Sequence, residues 1–130
     1  MNTPNTPTLP ERLPRPYRVE RDGDRPIAFR GSLLGAATHE VTSRHDGIRR
    51  TTLVRIYATA SGQIVTAVKQ TRSGYANSAN RAGVHGSPDE ALQWLRDDSK
   101  RGDLGPASLE AWSRACSGNS PLSGLAVEQI

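Results

Sequence analysis

A chain of 130 residues with 35% hydrophobic content is the size of one domain around one core, able to hide roughly two thirds of the surface its unfolded form exposes. Cys116 is the only cysteine, which excludes an intrachain disulfide or a cysteine-based zinc site and fits a reducing cytoplasmic setting, and no apolar run approaches the ~20 residues of a membrane helix. The net charge of +4 is unevenly laid out: residues 25 to 81 carry nine Lys or Arg against Glu40 and Asp46, a net of +7, whereas residues 82 to 130 net −3, an asymmetry that speaks to partners rather than to fold.

Residues 1 to 16 are rich in proline, which lacks an amide donor and turns its predecessor away from helix, so they read as a flexible tail. The ordered domain is expected over 17 to 130. From Ile27 to Val41 apolar residues fall on odd positions (Ile27, Phe29, Leu33, Ala37, Val41) and polar ones on even positions, the period of a half-buried strand. Gly31 and Gly35 on its apolar side predict a bulge or the close approach of a covering element. Asp46-Gly47 predicts a two-residue type I′ turn, and its register places Arg44 opposite Arg49, Val41 opposite Thr52, His39 opposite Val54 and Ala37 opposite Ile56. A second hairpin turns through the three-residue loop Ala60-Ser61-Gly62. That loop puts Ile64 and Val68 beside Val54 and Ile56, and sends Arg55, Tyr57 and Lys69 to the opposite face.

Ser73 to Gly86, rich in Gly, Ser, Asn and Ala, has no period and reads as a long loop. Ser87-Pro88-Asp89-Glu90 then supplies an N-cap, a proline at the first helical position and a capping-box glutamate, opening a helix that runs to about Asp98. A second helix starts near Pro106, carries Leu109, Trp112 and Cys116 at helical spacing, and is expected to stop at Gly118. Both tryptophans are expected to be core, Cys116 a small buried hydrophobe, and Leu122, Leu125, Val127 and Ile130 a terminal segment that docks or stays loose. The fold class is therefore α+β, a three-stranded antiparallel meander followed by two helices on one sheet face (β-β-β-α-α).

Little in this pattern carries catalysis. His39, Glu40, His45, Asp46 and His85 are the only residues resembling a metal set, but adjacent strand residues point to opposite faces, and His45 lies ~20 Å from His39 in an extended chain. No GxSxG elbow, no GxxxxGK[ST] loop and no GxGxxG occurs, so neither an enzyme nor a cofactor is expected. Arg30, Arg55, Tyr57 and Lys69 on the open sheet face, together with Arg44, His45, Arg49 and Arg50 at the hairpin tip and Arg72 and Arg81 behind them, form a basic surface suited to the phosphates of DNA or RNA. A rival reading is a protein-binding module, like a small phage- or plasmid-encoded (anti-CRISPR-like) inhibitor docking on a larger protein or nucleoprotein. It would use the edge strand Ile27 to Val41, Tyr75, Asn77, Asn80 and His85 in the long loop, or the proline-rich tail.

The order of three strands and then the helix SPDEALQWL is similar to that of three-stranded-sheet DNA-binding domains of plant and transposon-integrase type. Their aromatic and glycine positions are not matched, so the similarity assigns no contact residue. VRIYATASGQIVTAV, SPDEALQWL and the ending VEQI also resemble small bacterial proteins named for an EXLDI ending, of which the full motif is missing here.

Overall fold

The computed structural model describes residues 14 to 100 and 102 to 117. Five strands, β1 (Arg15–Val19), β2 (Ile27–Thr42), β3 (Arg49–Thr59), β4 (Ile64–Arg72) and β5 (Ser78–His85), precede two helices, α1 (Pro88–Ser99) and α2 (Pro106–Cys116). The strands pair in chain order as one antiparallel meander. The α+β class and both helices match the sequence reading; the three strands become five. β1 is short and begins between prolines, and β5 is built from Ser, Asn, Ala, Arg and Gly, so neither shows the apolar alternation that marks a strand. Each exists because a partner strand supplies its ladder, the tertiary context that overrides weak β-propensity. The expected stop at Gly118, the terminal segment with Leu122, Leu125, Val127 and Ile130, and residues 1 to 13 of the tail lie outside the described residues.

One departure in β2 shapes the layers on both faces of the sheet. Between Leu33 and Gly35 the ladder slips, so Leu33 pairs with Tyr57 while Gly35 pairs with Ile56. A β-bulge of this kind inserts one residue and inverts the alternation beyond it. Ile27 and Phe29 consequently join Tyr17, Val19, Tyr57, Val65, Ala67 and Ala82 in a cluster on one face, while Ala37 joins Val54, Ile56, Ile64 and Val68 on the other. Both faces are therefore buried over the middle of the sheet. The sheet curls around the first cluster: in the β1–β2 connection, the Asp22 amide donates to the Asn80 carbonyl at 2.9 Å and the Asp22 carboxylate accepts the Asn80 amide at 2.8 Å, tying that connection to β5. Inside the curl, Tyr17, Phe29 and Tyr57 pack ring on ring with centroids 4.8 to 5.6 Å apart.

The helices cover the convex face, α2 over β2 and β3 and α1 over β4 and β5. Gly35 marks the tightest contact, since a Cβ there would lie 2.5 Å from the Ala111 carbonyl oxygen and 2.6 Å from the Ala115 nitrogen. The glycine expectation holds at this position in both forms, bulge and close approach. Arg114 of α2 donates to the Ala36 carbonyl beside the bulge at 2.8 Å, tying the helix to the strand backbone. Ala107, Ala111, Trp112, Ala115 and Cys116 are buried, but Leu109 is 59% exposed, because the stripe facing the sheet is built of small residues around Trp112 rather than of Leu109. At α1, the Ser87 hydroxyl caps the Glu90 amide at 3.2 Å while the Glu90 carboxylate accepts from the Gly86 amide at 2.9 Å.

Candidate functional site

The β2–β3 turn is longer than Asp46-Gly47 alone predicts. Thr42 pairs with Arg49 and Val41 with Arg50, a register two residues shorter on the strand side than a type I′ turn would set. Gly47 has a left-handed φ of +69° whereas Asp46 does not, and a type I′ turn needs both. The chain instead closes a four-residue loop, Arg44 to Gly47, with the Gly47 amide donating to the Ser43 carbonyl at 2.8 Å and the Ser43 amide to the Ile48 carbonyl at 3.0 Å. Asp46 stabilises it through its side chain: the Ile48 amide above all, with Arg50 and Ser43 also contributing, holds the Asp46 carboxyl below its usual range. Because the shift is two residues, the same side chains keep the same face, but the Arg44–Arg49 cross-strand pair does not form.

A different arginine pair does. The three-residue loop Ala60 to Gly62 is present as read, and its register sets Arg50 directly opposite Arg72. The turn after β4 folds back on this pair: the Tyr75 amide donates to the Arg72 carbonyl at 3.1 Å, the Ser73 amide to the Arg49 carbonyl at 2.8 Å, and the Arg49 amide to the Ser73 hydroxyl at 2.9 Å. Arg49, Arg50, Arg72 and Tyr75 are thus fixed at one end of the sheet by backbone bonds rather than by their own flexible stems. The Arg72 guanidinium lies 4.3 Å from the centroid of the Tyr75 ring. Asp46 meets Arg50 at 3.3 Å, and among the described residues no carboxylate lies within ion-pair distance of Arg44, Arg49 or Arg72. Arg44, His45, Arg49, Arg50 and Arg72 are exposed, as are Tyr75 and Asn77.

The remaining sequence-predicted residues do not join this cluster. Tyr57 is buried inside the curl, where desolvation raises the pKa of its hydroxyl, and Arg55 beside it has its Nε buried without a partner among the described residues. Both lie on the side away from Val54 and Ile56, as read, but the bulge in β2 turns Ile27 and Phe29 to that side, so the open face expected there is a covered one. Lys69 is exposed on that same side, toward the basic end. Arg30, on the opposite parity, donates to the Pro14 carbonyl and lies beside Ala60, roughly 30 Å along the strands from Arg50 at ~3.3 Å per residue. Arg81 donates to both oxygens of Asp98 and to Gln70 at 3.0 Å, and its hydrogen bond to Asp98 raises its pKa.

For the protein-docking reading, β1 pairs only with residues 27 to 31 of β2, so from Ser32 to Val41 the strand has β3 on one side and no partner strand on the other among the described residues. Asn80 is bonded to Asp22, and His85 is 7% exposed, bonded to Thr66 at 2.8 Å and packed on Trp94, with a pKa lowered by burial. His39, on the odd positions of β2 with Ala37, is exposed. Beside it a groove of about 740 Å³ opens between the helices, lined among others by Thr52, Gln70, Trp94, Asp97 and Ser108. Among the described residues no three His, Cys, Asp or Glu side chains gather as a metal site requires, and no helix is long and apolar enough to cross a membrane.

Sequence reasoning missed the Arg50–Arg72 opposition and the seat of Tyr75 against it. The first was implicit in the Ala60–Gly62 loop, since counting outward from that loop pairs residue 50 with residue 72. Comparison of the chain with protein-family models, with curated proteins and with solved structures gave no match, so what this end of the sheet does is argued from its geometry.

Proposed function

We propose that this is a non-enzymatic binding protein whose basic sheet end, with Arg50 and Arg72 on the convex side, Arg49 and Lys69 on the concave side and Arg44 in the turn, engages the phosphate backbone of a nucleic acid. One observation carries the reading: Arg50 and Arg72 stand opposite each other across β3 and β4, with Asp46 the one carboxylate at ion-pair distance from either among the described residues. Like charges facing across strands cost a few tenths to about 1 kcal/mol, a penalty that a bound polyanion removes. Guanidinium groups suit phosphate because their planar fork donates two hydrogen bonds at once, and here the turn hydrogen bonds hold the strand ends that bear them. His45 and Asn77, exposed nearby, extend the polar rim.

The test is fluorescence anisotropy with labelled oligonucleotides at about 0.1 M salt, comparing the native chain with the triple substitution Arg49→Ala, Arg50→Ala, Arg72→Ala. The reading expects affinity to fall at least tenfold while circular dichroism and thermal midpoint hold. An unchanged affinity removes the basic end from the account.

A further inference from the structure

We infer, resting on that reading, that the nucleic acid is single-stranded and that Tyr75 and Val41 are the surfaces on which its bases lie. Val41, Arg50 and Arg72 form one row on the convex side, each directly paired with the next across β2, β3 and β4. Tyr75 ends the row, its ring against the Arg72 guanidinium. Helix cover stops short of this row: Val41 is 53% and Tyr75 52% exposed, among the most exposed large apolar residues of the described chain. The order across the surface is therefore apolar, cation, cation, aromatic, over roughly 10 Å from β2 to β4 at ~4.8 Å per strand.

A dinucleotide step of a single strand has the complementary order, base, phosphate, base. Its phosphate fits between the two guanidinium groups, where the like-charge repulsion is, and its bases fall on the Tyr75 ring at one side and the Val41 methyl groups at the other. In a duplex the base faces are stacked on one another and only their edges reach the grooves, so Val41 and Tyr75 would gain nothing. Stacking on an aromatic ring tolerates any base, which predicts little sequence preference. Arg72 behind the ring strengthens this arrangement, because it keeps the tyrosine in place while its charge remains available to the phosphate. The next row inward, His39, Thr52 and Gln70, leads into the groove between the helices and sets polar groups beside the same strand path.

The experiment compares a labelled twelve-nucleotide oligo-dT with a twelve-base-pair duplex, both at about 0.1 M salt, for the native chain, Tyr75→Ala, Tyr75→Phe and the pair Arg50→Ala, Arg72→Ala. The expected result is a single strand bound at least tenfold more tightly than the duplex. Tyr75→Ala should weaken single-strand binding about 5- to 150-fold, the range for losing one stacked base, and leave weak duplex binding within about twofold. Tyr75→Phe should bind as the native chain does, showing that the ring and not the hydroxyl matters. Duplex bound as tightly as single strand, or a Tyr75→Ala loss equal on both, overturns this inference while leaving the basic end intact, provided the arginine pair variant weakens both. Binding of neither nucleic acid overturns the inference and the underlying reading together.

Discussion

The two ends of the same strands have opposite chemistry. Toward the β3–β4 turn, β3 and β4 are buried on both sides, with Val54, Ile56, Ile64 and Val68 beneath the helices and Tyr57, Val65 and Ala67 inside the aromatic curl. Toward Arg49 and Arg72, the same two strands run out from under every covering element and carry opposed arginines. Stability therefore resides in the covered half, and the proposed recognition is placed in the bare half. The bare half contributes little apolar burial, and its turn geometry is held by backbone hydrogen bonds and Asp46, so its side chains can change without disturbing the core.

The sharpest way to break this division is in the covered half. Trp112→Ala should cost about 3–5 kcal/mol, the range for removing a buried aromatic, whereas Trp112→Phe should cost far less, since the indole Nε1 is buried without a partner among the described residues. Chemical denaturation of the two variants measures both. Next in size is Gly35→Ala, expected to cost about 1–3 kcal/mol because the added methyl meets α2 backbone rather than a side chain that can swing away. A stability equal to the native chain would mean that α2 does not press on the bulge. In the bare half, the Arg49, Arg50 and Arg72 substitutions should leave stability within about 0.5 kcal/mol, as exposed changes usually do, while weakening binding.

A smaller effect should appear with pH. Burial lowers the folded-state pKa of His85, so the folded protein favours its neutral form and the unfolded chain binds the proton more readily. The contribution is complete above the unfolded value of about 6.5 and is lost as pH falls below it. Thermal midpoints taken from pH 8 to 5 should decline more for the native chain than for His85→Gln, and parallel curves would exclude His85 as the cause.

How much of this could be read from the chain depends on which residues carried a local signal. The two helices were legible because Ser87-Pro88-Asp89-Glu90 and Pro106 encode their starts, and β2 was legible from its alternation. The bulge was signalled by Gly35 but not its consequence: nothing local says that one inserted residue at Leu34 would turn Phe29 to the side of Tyr57, away from that of Ala37. The alternation alone therefore places Tyr57 on an open face, whereas it is 3% exposed. β5 was illegible because its residues have no strand period and gain their structure from β4. At the site, arginine identity was plain from the start, but which guanidinium groups converge depended on loop length, and Asp46-Gly47 left that open because aspartate can also cap a longer turn through its carboxylate.

The central claim is that the bare end of the sheet gathers cations to neutralise phosphates. Its most direct measurement is the dependence of oligonucleotide affinity on salt for the native chain and for the triple variant lacking Arg49, Arg50 and Arg72. The account predicts a logarithmic slope steeper for the native chain by about two, as expected for losing three phosphate contacts at ~0.7 each on a single strand. Identical slopes for the two proteins would contradict it.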